Sequence, residues 1–382
     1  MKKLIYLILI LFLSFSCGPR QEKAEKIMED GVEVVINHIE PYKIKGEYST
    51  FSLKEKFVID LERDDLAQIG LTEIYDFAID STGNIYFSDS HSNENLIFKF
   101  DAEGNYLKSF CPKGQGPGQL PSAPMMRFAQ DDELVAYSKM RFLFFEPDGS
   151  LVRQVKTNVV GTGEAKYLDN GNYLIRILRY SEGGSEEGLV IQMLYDSQFN
   201  KIKELERIEL PSPFSQRIKG IHHNILAEVN AGKIFTGSQQ RNYEIYVYDF
   251  NSNLIRKIRK DYRKVSPSEE YKERFLGSWK RTDFYEAMKK KTYFPSSLPP
   301  FHYFLTDEKG RLYVMTYEKG FNPGEYMFDI FNPEGVFVGR KSLKDFSYYQ
   351  GLNGKIKNDH FYCIEEKESG FRQVEVYKMM WE

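Results

Sequence analysis

Residues 75–110 read YDFAIDSTGNIYFSDSHSNENLIFKFDAEGNYLKSF, and the punctuation of this stretch decides the fold. Four short segments of alternating or aromatic-rich character, 76–79, 85–89, 96–100 and 106–110, have the strand-forming composition that a half-buried pleated surface requires. Between the first two stands Asp80-Ser81-Thr82-Gly83-Asn84, and between the last two Asp101-Ala102-Glu103-Gly104-Asn105. Asp, Gly and Asn accept the backbone angles of tight turns, so the stretch predicts two hairpins joined by a polar loop.

Working outward, the same unit recurs in weaker form at 127–155, 165–210, 221–258, 303–343 and 349–379, with turn residues at matching points. An aliphatic–aromatic step usually follows the first turn: Ile85-Tyr86, Ile234-Phe235, Leu312-Tyr313, Phe361-Tyr362, with Tyr173-Leu174 in reversed order. Four-strand units spaced by roughly 40 to 50 residues mark a β-propeller, because one such sheet buries both faces only by packing between neighbours around an axis. Six copies predict an all-β, six-bladed β-propeller of four-stranded antiparallel blades. The last copy lacks a fourth strand, and a strand-like stretch at 51–61 precedes the first. That stretch is expected to complete the last blade and close the ring without a free edge. The alternative is a pair of stacked sandwiches.

Between copies four and five, residues 266–295 break the pattern. Ser266-Pro267-Ser268-Glu269-Glu270 has the hydroxyl, proline and acids of a helix start. Tyr271, Phe275 and Trp279 fall at helical spacing. A second short helix is expected over 283–290, before Pro295, Pro299 and Pro300. This insertion joins an outer to an inner strand, so it belongs on the face where such connections lie, as a cap over apolar surface or as a lid.

The N-terminus carries an address. Lys2 and Lys3 precede an apolar run at 4–15 that is short for a membrane span, followed by Leu13-Ser14-Phe15-Ser16-Cys17-Gly18. The layout resembles the lipobox of bacterial lipoproteins, although Phe15 is bulkier than that motif prefers. It implies a signal peptide over 1–16, lipidation of Cys17, and a bacterial outer-membrane lipoprotein facing the periplasm or the cell surface. An ordinary cleaved signal is the alternative. Residues 17–30 read as a polar tether and 31–382 as the propeller. Cys111 and Cys363 are either a disulfide pair or two buried small hydrophobes.

The chain also resembles six-bladed β-propeller lipoproteins related to NHL-repeat proteins. The resemblance rests on Gly83-Asn84-Ile85-Tyr86, on Phe100-Asp101-Ala102-Glu103-Gly104 and on Gly114-Gln115-Gly116-Pro117-Gly118. A second match runs from Tyr293-Phe294-Pro295 through Asp307, Gly310, Leu312 and Tyr313. It implies the fold and export, and it says little of chemistry, since propellers include hydrolases, lyases and pure binding modules.

Composition and motifs narrow the function. The chain has 382 residues, 41% hydrophobic and 15% aromatic, with a net charge of −3. That balance argues against a general nucleic-acid binder. The glycine-rich 114–118 lacks the Lys and Ser/Thr of a phosphate loop, and G-x-S-x-G and H-E-x-x-H are absent. Inner strands beginning near Asp76, Arg127, Lys166, His222, His302 and Tyr349 do not supply the oxygen ligands of a calcium nest. No metal or cofactor is therefore expected. The residues expected at the propeller mouth are His91, Arg127, Arg141, Lys166, Arg179, His223, Arg241 and His302. A positive mouth with aromatic walls predicts a binding module for a small anionic or carbohydrate ligand, or for a partner protein. The alternative is an exported lyase or hydrolase acting on carbohydrate or peptide, with Tyr75, His91, His223 and Arg241 as the acid–base group.

Overall fold

The computed structural model describes residues 24–129, 131–160, 162–179, 188–210, 217–221, 224–277, 279–280, 282, 285–344 and 354–382. Six sheets, each built on four antiparallel strands, follow one another around an axis. Blade 1 contains Ile74–Ile79, Ile85–Asp89, Asn95–Phe100 and Tyr106–Pro112. The inner strands of blades 2 to 6 are Met125–Phe128, Thr162–Tyr167, Ile225–Asn230, Tyr303–Thr306 and Lys355–Lys357. The last blade therefore starts at Lys355, while Tyr349 lies outside the described residues. Phe51–Asp60 pairs antiparallel with Arg372–Trp381 and supplies the outer strand of blade 6, as the missing fourth strand required. The packed sandwich is excluded.

The turns explain why blade 1 was so legible. Asp80, Asp101, Asp196 and Asp249 each accept a hydrogen bond from the backbone N–H of the Asn four residues on, all at 2.8 Å. The fourth turn position has positive φ in every case, but it is Gly83 and Gly104 in blade 1 and Phe199 and Ser252 in blades 3 and 4. Gly104 is required twice over. Its φ is +86°, and a Cβ there would come within 2.8 Å of the Phe57 ring of blade 6. The aromatic after the first turn is also accounted for: the Tyr86 hydroxyl donates to Asp80 at 3.2 Å and the Tyr313 hydroxyl to Asp307 at 2.8 Å.

The N-terminal 60 residues do more than close the ring. Glu25–Glu29 and Val32–Asn37 form a hairpin that extends blade 4 to six strands, the second pairing parallel with Leu254–Lys260. Part of the stretch expected as a tether is thus a strand. The chain then crosses the edge of blade 5, where the Tyr42 N–H donates to the Phe337 carbonyl at 2.8 Å, and enters blade 6. Three sheet edges are covered by one belt, which removes templates for unwanted pairing. Asn37 pins it. Fully buried, it donates to the Arg259 and Gly335 carbonyls and accepts from the Phe337 N–H.

Between blades 4 and 5 lies a sealed charge network. Asp329, 0% exposed, receives Arg340 Nε at 2.7 Å and the Tyr243 hydroxyl at 2.9 Å, with Lys260 Nζ at 3.4 Å. Arg340 also reaches Glu318 at 2.9 Å. Two cations and two carboxylates neutralise one another, which is what allows such charges inside a protein.

Helix α1 spans Asp64–Gln68, α2 Glu269–Gly277 and α3 Tyr285–Lys291. Ser268 caps α2, its hydroxyl accepting from the Tyr271 N–H at 3.2 Å, so the helix begins after Pro267. Tyr271 and Phe275 are buried with Ile221, Leu298 and Tyr317, whereas Trp279 falls beyond the helix end. The insertion is thus a cap with its own small core. Among the described residues no helix is long and apolar enough to cross a membrane.

Candidate functional site

Inner strands all begin on one face, here called the upper face, and their side chains meet at the axis. Lys166 Nζ lies 3.2 Å from Glu164 and 3.8 Å from Glu228 of the next blade, and donates to the Ala227 carbonyl at 2.5 Å. Arg176 pairs with Glu164 at 3.8 Å, and Lys355 with Asp76 at 3.2 Å. Several inner strands are stitched to their successors: Lys355 donates to the Phe77 carbonyl, Asp76 accepts from the Met126 N–H, and Arg127 donates to the Tyr167 carbonyl.

These side chains keep part of their surface in solvent yet are surrounded by protein, the condition of a narrow polar channel. Burial is the largest influence on both Glu164 of blade 3 and Glu228 of blade 4, and Lys355 of blade 6 is among the cations that favour their charged forms. Burial pushes the Glu228 carboxyl above its ordinary value, and Lys166 only partly offsets this. Burial also works against Glu164, but Lys166 and Arg176 outweigh it and hold that carboxyl low. Burial draws the Arg127 guanidinium below its usual range, with Asp169 and Glu228 opposing. Two carboxyls around one ammonium are driven in opposite directions.

Above the channel, over blades 1 to 3, is a cleft of about 460 Å³ whose lining includes Tyr75, Ser122, Tyr137, Ser138, Lys139 and Val159. The Ser122 and Ser138 hydroxyls lie 2.8 Å apart. Lys139 and Met140 form the two-residue hairpin loop between Ser138 and Arg141, with φ of +43° and +69°. Such loops favour Asn and Gly, and the left-handed region is unfavourable to Lys and Met. Strain of this kind concentrates at functional sites. A neighbouring cleft, also about 460 Å³, shares Val159 and Val160 and adds Arg179, Tyr195 and Phe199.

The expected mouth residues divide. Arg127 and Lys166 line the axis, and Arg179 lines the second cleft. Arg141 instead donates to the Gln115 carbonyl at 2.9 Å and holds the glycine-rich loop, while His91 is exposed beside Glu73 at 3.0 Å. Arg241 pairs with Glu206 of blade 3 at 2.9 Å and covers the Tyr246 ring at 3.9 Å, so it works in the seam between blades 3 and 4. His302 lies under the cap, its ring 5.5 Å from that of Tyr317. His223 and Cys17 fall outside the described residues. The fold therefore does not gather Tyr75, His91 and Arg241 as one acid–base group. At the axis Asp76, Glu164 and Glu228 stand among Arg127, Lys166, Arg176 and Lys355, so three carboxylates offset part of a cationic charge of four. Glu164 and Glu228 lie inside their strands, where no local pattern marks them, and Lys355 opens an inner strand that the sequence pattern places at Tyr349. The Lys-Met hairpin loop, lacking Gly or Asn, was the available signal for the cleft.

Cys111 and Cys363 are free, buried thiols, and burial pushes the Cys111 thiol up to about 12. Among the described residues no cluster of His, Cys, Asp and Glu is arranged to hold a metal ion.

Fold and site together define a six-bladed β-propeller with a polar axial channel beneath an upper-face cleft. A Bacteroides fragilis protein described as exported superposes with a TM-score of 0.52, at 12% identity, over 91% of this chain and 99% of that one. A DUF4221 family member from Bacteroides vulgatus gives a TM-score of 0.51 at 11% identity, over 88% and 100%. At these identities the likeness shows the fold alone. No protein-family model matches the chain, and no curated protein matches it.

Proposed function

We propose that this protein is a binding module of the bacterial envelope, held on the outer membrane by a lipid on Cys17, periplasm-facing or on the cell surface, and akin to NHL-related propeller lipoproteins. The observation that carries the reading is the cleft: segments remote in sequence bring two tyrosines, two serines and a lysine together at the mouth of a polar channel. Tyr137 is packed on Phe142, which leaves the partly exposed Tyr75 to stack on a sugar ring, with the Ser122 hydroxyl and the Lys139 amine as hydrogen-bond partners, so a small carbohydrate fits this lining. The exported description of the B. fragilis neighbour agrees with an envelope address. The test is a glycan screen by isothermal calorimetry. Tyr75→Ala and Lys139→Ala are expected to abolish binding of any hit without lowering the melting temperature; retention of full affinity in both would refute the site.

A second reading, an exported lyase or hydrolase, draws on Glu164 and Glu228, because carboxyls with divergent ionisation are how acid and base roles are divided. It requires release of reducing ends or unsaturated products from envelope polysaccharide, lost in Glu228→Gln.

A further inference from the structure

We infer that the upper rim of blades 4 and 5 lies against an anionic lipid surface. The inference rests on the anchored reading above and adds a second membrane contact to it.

The first argument is where the chain enters. The outer strand of blade 4 ends at the upper face, and Val32–Asn37 runs parallel to it, Asn37 opposite Lys260. The hairpin partner runs back, Glu25 opposite Ile36, so Glu25 stands at the upper rim. Eight residue steps separate it from Cys17, a reach of at most about 28 Å. A lipid on Cys17 therefore keeps this rim close to the membrane. The rim is also joined to the insertion, since His38 contacts Asp261 at 3.1 Å and Glu40 contacts Arg263 at 3.1 Å.

The second argument is charge. Residues 280–291 carry Lys280, Arg281, Lys289, Lys290 and Lys291 against Asp283 and Glu286, in a chain whose net charge is −3. Lys280, Lys289 and Lys290 are exposed, and among the described residues none of them, nor Lys291, makes an ion pair. Lys289, Lys290 and Lys291 form the basic last turn of α3, a cluster of one sign at one end of a helix. The third argument is apolar. Phe321 is 85% exposed in the blade 5 loop, which is tied to α2 through Lys319 and Glu270 at 2.8 Å. Lysines together with a protruding aromatic on the same insertion-bearing rim are the composition that seats a protein at the headgroup layer. Each such charge strengthens adsorption roughly fivefold near an anionic surface.

The experiment uses the chain from residue 17 on, with Cys17→Ser so that no lipid is attached, in co-sedimentation with vesicles. Binding is expected to phosphatidylethanolamine vesicles containing phosphatidylglycerol, and little to phosphatidylcholine alone. Lys289→Glu, Lys290→Glu and Lys291→Glu together are expected to weaken it at least tenfold with an unchanged melting temperature, and Phe321→Asp several-fold. Failure to bind, equal binding to phosphatidylcholine, or a folded triple variant that binds like the parent would each overturn the inference. So would a soluble polyanion such as heparin binding as tightly as the vesicles with no effect of Phe321→Asp, which points to an acidic macromolecule instead. Labelled palmitate in cells making the unaltered protein tests the anchor separately: no label on Cys17 sinks the anchor alone, and the vesicle results decide the rim.

Discussion

The seam between blades 4 and 5 and the axial channel are built from the same kinds of side chain in opposite surroundings. At the seam, Lys260 and Asp329 have side chains 2% and 0% exposed, and every charge has a fixed partner. At the axis, Lys166, Glu164 and Glu228 keep 21%, 32% and 31% of their side-chain surface. Water reaches them, so their pairing is weaker and open to exchange with a ligand. Charge pairing holds two blades together where it is dry, and leaves a usable polar surface where it is wet.

The largest way to break this comparison is at the seam. Asp329→Ala leaves Lys260 and Arg340 in the interior with too little negative charge and is expected to cost about 3–5 kcal/mol, measured by chemical denaturation. A loss under 1 kcal/mol would mean that the seam is as wet as the axis. Gly104→Ala follows, at roughly 2 kcal/mol, because the turn is left-handed and the methyl group meets the Phe57 ring. Lys166→Met at the axis should cost only about 1 kcal/mol, the scale of one partly hydrated hydrogen bond and a screened pair. A loss as large as that of Asp329→Ala would erase the distinction.

The pH dependence sharpens it further. Glu228 has a folded-state pKa above its unfolded value, so its contribution to stability is present at acid pH and is lost as pH rises through the folded pKa. Glu164 has the opposite displacement, contributing above the unfolded value near 4.5 and losing that contribution as pH falls. Glu228→Gln should therefore flatten the loss of stability above pH 4.5, and Glu164→Gln the loss below it, in melting curves taken from pH 3 to 8. The smallest effect is at the strained loop. Lys139→Asn with Met140→Gly should raise stability by about 0.5–1 kcal/mol while weakening any ligand held by the cleft.

Blade count, ring closure by residues 51–60 and the capping insertion were legible because turns and strands are local. Asp80 with Asn84 and Asp101 with Asn105 write their hydrogen bonds into five residues. The weaker copies were harder to see where Phe199 and Ser252 occupy the position that Gly holds in blade 1. The hairpin at residues 25–37 was missed because its strand partner lies more than 200 residues away, and no local pattern announces a parallel pairing of that kind.

By itself the sequence determined the repeated four-strand unit, since turn chemistry and two-residue alternation act over a few residues. Only the tertiary structure decided which charges face water and which face one another. Lys260 and Lys166 are the same residue type, and their difference arises from what the other blades place around them: a sealed seam in one case and an open axis in the other. Ring closure brings those partners from distant parts of the chain, and burial, a property of the assembled fold, then sets what each charge can do.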